Sequence, residues 1–132
     1  MMSDTHILVW SAILTFLMLG LASFFRNQAW SSQGFRRAMG NRDDLPEPTP
    51  VCGRADRAAK NMLENLALFT ALVAAVHFAG KESAQAQLGA NIFFWARVAY
   101  WPIYLAGILY LRTAIWMVSI AGLAMMAAAV LW

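Results

Sequence analysis

The sequence predicts an all-α membrane protein: one domain, built as a bundle of four transmembrane helices. Three observations predict it. Apolar and aromatic residues fill 61% of the 132 positions and charged residues only 13%, against about 45–50% and about 25% in soluble domains. The apolar residues gather into four runs, at about residues 5–26, 54–80, 88–109 and 112–131. Each run is near the roughly 20 residues a helix needs to cross a hydrocarbon core about 30 Å thick. The charges fall mainly between the runs, so a net charge of +3 says less than where it sits.

The first run carries no Lys or Arg before it and ends at Arg26. A secretory signal peptide is its rival reading, but a signal's leading region is basic. His6 is expected at the membrane edge, as an interfacial side chain.

Residues 27–53 form a polar connection. Its piece G-F-R-R-A-M-G, Gly34 to Gly40, either continues the first helix or makes a short surface helix. The segment N-R-D-D-L-P-E-P-T-P that follows reads as extended and turn-rich, because each residue before a proline is pushed out of the α region. Cys52, the single cysteine, is expected to be a free, inert thiol. One cysteine excludes an intrachain disulfide framework and any C-x-x-C redox or metal motif.

The second run opens with R-A-D-R-A-A-K-N-M-L-E-N, Arg54 to Asn65. Arg57, Asn61 and Glu64 stand at i, i+4 and i+7 and share one helix face. Asp56 and Lys60 fall on another face, in the order that favours an ion pair. Glu64 lies roughly 15 Å from the helix start at about 1.5 Å per residue, near mid-membrane. A carboxylate there is costly, usually faces a bundle interior and usually has a partner. Beyond it the run is apolar except for Thr70 and His77, the latter expected near the far interface in a structural role.

The third run supplies the expected partner. Arg97, Tyr100 and Tyr104 at i, i+3 and i+7 share a face, and Pro102 should loosen or kink the helix. Antiparallel packing of the second and third runs predicts a buried Glu64–Arg97 pair, read either as a lock on the bundle or as part of a site. The fourth run has no charge after Arg112 and reads as wall. Trp101, Trp116 and Trp132 are candidate interface anchors.

Four spans place both termini on one side. Basic residues crowd the first and third connections, whereas the second has only Lys81 and the N-terminal tail none. The positive-inside rule then puts the first and third loops in the cytoplasm and the termini outside. The inward-facing residues at that end outline a polar pocket. Donors come from Arg57, Asn61, Arg97, Tyr100, Tyr104 and, from the connections, Arg36, Arg37 and Arg112, with Glu64 as the one deep acceptor. A ligand with carboxylates and an amine matches; glutathione is one such, and many amino-acid-like anions are others.

The order R-x-x-R-A-x-x-N-x-x-E at Arg54–Glu64, then A-R-x-x-Y-x-x-x-Y at Ala96–Tyr104 and Arg112, resembles the MAPEG family. These are the membrane-associated proteins of eicosanoid and glutathione metabolism, including microsomal glutathione transferases. The resemblance spans essentially the whole chain and implies a four-helix protomer assembled as a homotrimer, with glutathione as co-substrate between protomers. It implies that Arg57, Asn61, Glu64, Arg97, Tyr100 and Tyr104 hold glutathione, that Arg37 or its neighbour Arg36 adds the first-helix arginine, and that Arg112 stabilises the thiolate. Three positions depart from the family pattern. Gly53 replaces an acidic residue, and Ala59 and Asn65 replace polar or aromatic ones. The Tyr104–Arg112 spacing is one residue longer than in a relative, which makes the Tyr110 hydroxyl a rival thiolate stabiliser.

The expected activity is glutathione conjugation to a lipophilic electrophile, or peroxide reduction, in a bacterial inner membrane among membrane lipids. No metal and no nucleic acid is expected. The alternative is a non-catalytic lipid- or thiol-binding protein or an accessory subunit of a membrane complex, because one fold hosts several functions.

Overall fold

The computed structural model describes residues 1–132 and is all helical. Its elements are α1 (Asp4–Asn27), α2 (Ser32–Met39), α3 (Pro50–Phe78), α4 (Ala84–Ala106) and α5 (Leu109–Leu131). Local chemistry fixes most boundaries. Ser3, Ser31, Thr49 and Ser83 each cap a helix start with a side-chain oxygen that accepts a backbone N–H, satisfying a donor the helix cannot. α3 begins at Pro50, earlier than the expected Arg54, because Thr49 caps it and a proline at the first turn needs no N–H partner. α2 is a separate short helix. It folds back so closely that Gly34 lies against the Gln28 carbonyl with no room for a Cβ.

Three helices, α1, α3 and α5, are long and apolar enough to cross a membrane. Of the four expected spans, three are this apolar. α4 has 23 residues, about 35 Å at 1.5 Å per residue, but Gln85, Gln87, Asn91 and Arg97 make it more polar. It compensates by turning Asn91 and Arg97 into the protein, where both are buried. α4 also stays helical through Pro102 to Ala106.

α1 packs on α3, and α4 lies against α1, α3 and α5. The core between them includes Ile7, Met18, Met62 and Phe69, with Phe69 stacked on Phe93 at 4.5 Å between ring centres. α4 and α5 touch backbone to backbone. A Cβ on Gly89 would lie 2.6 Å from the Gly122 carbonyl oxygen, so glycine at both positions is what permits this approach.

The two ends of the bundle differ in charge. At one end Arg26 donates to the Pro46 carbonyl, Arg37 to that of Asn27, and Arg54 to that of Leu105, which fastens the first connection to the end of α1 and the start of α3 to the end of α4. At the other end His77 lies between Asp4, 3.4 Å away, and Glu82, and also meets the Thr5 hydroxyl. His77 ties the start of α1 to the end of α3 there.

Candidate functional site

The pairs Arg54–Leu105, Arg57–Tyr104 and Asn61–Arg97 climb α3 as they descend α4, so the two helices are antiparallel in this register. Arg57 Nε donates to the Tyr104 hydroxyl at 3.3 Å. The Tyr104 ring stands 5.3 Å from that of Tyr100, as i, i+4 spacing on one helix face requires. Arg112, from the first turn of α5, lays its guanidinium carbon 4.9 Å from the Tyr104 ring centre. Arg57, Asn61, Arg97, Tyr100, Tyr104 and Arg112 thus come together within one chain.

The expected Glu64–Arg97 pair does not form. Arg97 is fully buried; its Nη2 donates to Asn61 Oδ1 at 2.7 Å and its Nε to Met62 Sδ at 3.3 Å. Its guanidinium carbon lies 4.3 Å from the Tyr100 ring centre, a cation–π contact. Glu64 is exposed and makes no ion pair within the chain. The reason is angular. At about 100° per residue, Asn61 and Glu64 lie on opposite sides of Arg57, about 60° apart. Arg97 meets the Asn61 edge, beside buried Ala58 and Met62, and Glu64 is carried onto the outer face with Arg57.

Two other candidates stand apart from the cluster. Arg37 donates to the Asn27 carbonyl at 2.7 Å and lies 3.7 Å from Asp44, so it serves the corner between α1 and α2; its neighbour Arg36 is exposed. Tyr110 is 90% exposed and hydrogen-bonds to no side chain, so it lies outside the cluster around Arg112.

Two hollows meet at Arg112. A recess of about 160 Å³ is lined by Asn61, Tyr100, Arg112, Thr113 and Trp116. A cleft of about 450 Å³ is lined by Arg54, Arg57 and Arg112 together with Pro48, Thr49, Pro50, Gly53, Gly107 and Leu109. Neither hollow has an acidic wall. In the recess the Asn61 side-chain oxygen Oδ1 already accepts from Arg97, and the Trp116 indole N–H is buried without an acceptor. The polar lining of the recess comes from the Arg112 guanidinium, the Asn61 amide and the Tyr100 and Thr113 hydroxyls, with no carboxylate, which suits an anion carrying several acceptor oxygens or a thiolate.

Two residues of this region escaped the sequence reading. Trp116 looked like an interface anchor; its i+4 offset from Arg112 was the available signal that it shares the Arg112 face. Arg54 looked like one basic residue among many, although its i−3 offset from Arg57 already put it on that side of α3.

No curated protein and no solved structure matches the chain. A model of the MAPEG family matches residues 7–132, essentially its whole length. With three helices apolar enough to span a bilayer, the chain is a multi-pass integral membrane protein and belongs to the MAPEG family.

Proposed function

We propose that the protein binds glutathione and activates its thiol for attack on lipophilic electrophiles or lipid hydroperoxides. The observation that carries this reading is the acidless, donor-lined recess at Arg112, held by Asn61, Tyr100 and Trp116. Glutathione brings two carboxylates, one ammonium and one thiol. Arg57, the Asn61 amide and the tyrosine hydroxyls supply donors for the carboxylates, and Arg112 faces the sulfur. Arg97 acts from behind, holding Asn61 and the Tyr100 ring in place without reaching the ligand.

A free thiol has a pKa of about 8.5, and the thiolate is the nucleophile. A guanidinium close to the sulfur in a partly dry site favours the charged form. Lowering the thiol pKa by two units stabilises the thiolate by about 2.7 kcal/mol. In conjugation the thiol proton leaves to water and the sulfur lone pair forms the S–C bond. The broken bond's electron pair leaves with an oxygen or other leaving group, which takes a proton from water. In peroxide reduction the thiolate takes the terminal oxygen, the O–O bond breaks and the alcohol departs with a proton. A second glutathione then converts the sulfenic acid to a disulfide and water.

The exposed Glu64 supports assembly. An unpaired carboxylate in the second apolar run is costly in lipid, and a second copy of the chain would cover it and add an acceptor for the ligand's ammonium. A homotrimer with α4 as its fourth span, the basic connections cytoplasmic and both termini outside, in a bacterial inner membrane, completes the proposal. The basic residues clustered at the Arg54–Leu105 end support that orientation.

One observation favours a second reading, a non-catalytic lipid- or thiol-binding member or accessory subunit. Arg97 is buried in contacts that would lock the bundle with no ligand present. The two readings separate on purified protein in detergent, with glutathione titrated against thermal unfolding and against turnover of a lipophilic aryl halide. Saturating ligand at about 100 times Kd stabilises by about 2.7 kcal/mol. The enzyme reading predicts that protection and saturable turnover. Protection without turnover selects the second reading, and neither result removes glutathione from the site.

A further inference from the structure

We infer that Arg54 is a positioning residue for the thiolate site: it fixes the turn between α4 and α5 and thereby aims Arg112. The inference rests on the proposed function for its chemical consequence, but its structural basis is independent. α4 ends with Gly107 in the left-handed region, at φ +76°. The Gly107 and Ile108 N–H groups return to the carbonyls of Tyr104 and Ile103, which leaves the Leu105 carbonyl without a backbone donor. Arg54 Nε fills that vacancy at 2.9 Å, reaching across from α3. Its guanidinium lies flat against the turn, where a Cβ on Gly107 would meet the guanidinium carbon at 3.5 Å. A cation at a helix C-terminus is also favoured by the helix dipole.

Nothing else of this kind holds the turn. α5 begins at Leu109, and Ile108 before it supplies no side-chain cap; Arg112 bonds through its own N–H to the Ile108 carbonyl at 3.3 Å. One turn of helix therefore connects the point that Arg54 grips to the guanidinium that faces the recess. Tyr104 is gripped from the same side by Arg57, so consecutive arginines of the R-x-x-R spacing hold the two surfaces between which Arg112 lies. Arg54 lines the larger cleft but not the recess, and its Nε is spent on Leu105. It acts through Arg112 rather than on sulfur.

The test compares wild type with Arg54→Met and Arg54→Lys in detergent. Hydrogen exchange of the Ile108–Arg112 amides is measured without ligand, and the ultraviolet absorbance of the bound thiolate is followed against pH with saturating glutathione. In Arg54→Met the amides exchange at least about tenfold faster, as expected when a local fastening is lost. The thiolate midpoint rises by about one unit toward that of the free thiol, while glutathione affinity changes by less than about threefold. Turnover near pH 7 changes by less than about twofold: a midpoint moving from about 6.5 to about 7.5 lowers the thiolate fraction roughly threefold, and the greater nucleophilicity of the more basic sulfur offsets most of that. Arg54→Lys, which keeps a donor for the carbonyl, restores both readouts in large part.

An unchanged exchange rate, or an unchanged midpoint in a variant that binds glutathione, overturns the inference. So does a large loss of affinity with no shift in midpoint, which would make Arg54 a ligand contact. If Arg54→Met does not assemble, Arg54→Gln, whose amide is too short to span the gap, takes its place with the same outcomes. Should wild type show no thiolate at all, the proposed function falls and the exchange measurement alone decides whether Arg54 fixes the turn.

Discussion

Asn61 and Arg97 should be strongly coupled, and the coupling can be measured without any ligand. Arg97 is 0% exposed, and Asn61 Oδ1 is its one oxygen acceptor. Replacing Asn61 by Leu leaves a buried guanidinium with only the Met62 sulfur and the Tyr100 face. Losing a hydrogen bond to a charged group costs about 1.5–3 kcal/mol, and stranding the charge pushes the total towards about 3–5 kcal/mol. Asn65 Nδ2 also loses a 3.3 Å contact to Asn61 Oδ1 but keeps the Asn61 carbonyl at 2.9 Å, a minor addition. Arg97→Met removes the same bond and the cation–π contact. The double variant places Leu beside Met with no charge to strand, so its cost falls below the sum of the two by about 1.5–3 kcal/mol. The assay is reversible unfolding in mixed micelles for the four proteins of the cycle. Costs that add within about 0.5 kcal/mol would refute the reasoning. The parallel cycle of Glu64→Gln with Arg97→Met should be additive within that margin, because the carboxylate faces outward.

Other outcomes follow from the same geometry. Arg112→Ala should lower both thiolate absorbance and conjugation rate while glutathione stays bound; unchanged turnover would remove Arg112 from the mechanism. Gly89→Leu should destabilise by about 1–3 kcal/mol or more in thermal or denaturant unfolding. The obstacle is the Gly122 backbone oxygen at 2.6 Å, which no rotamer can move, so a neutral result would mean that α4 and α5 do not approach this closely. His77→Ala should lower the melting temperature by loosening the tie between α1 and α3, with no change in glutathione affinity. A loss of affinity would show that the two ends of the bundle are coupled.

How much of this was legible depended on how far each signal had to reach. Helix starts were written locally: Thr49 and Pro50 already marked the start of α3, and reading the helix from Arg54 passed over that cap. Tyr100 with Tyr104, and Arg57 with Asn61, were correct as neighbours because i, i+4 spacing leaves little angular doubt. Glu64 does share a face with Arg57, but that face is the outer one; which side of α3 meets α4 is set by packing, and the buried edge runs from Asn61 to Ala58 and Met62. α4 reads as a span by length, but its Asn91 and Arg97 are polar positions that only tertiary packing hides. The Leu105 carbonyl that Arg54 serves has no sequence signature at all. It becomes free only through the conformation of the turn at Gly107, and an arginine 51 residues earlier in the chain meets it.

The most direct test of the central claim is a pH titration of the thiolate absorbance of glutathione bound to the wild-type protein. A donor-lined recess at Arg112 predicts a midpoint at least about one unit below the free-thiol value near 8.5, so that thiolate is plainly present at neutral pH. A midpoint at the free value with glutathione demonstrably bound, or no saturable binding at millimolar ligand, would contradict it.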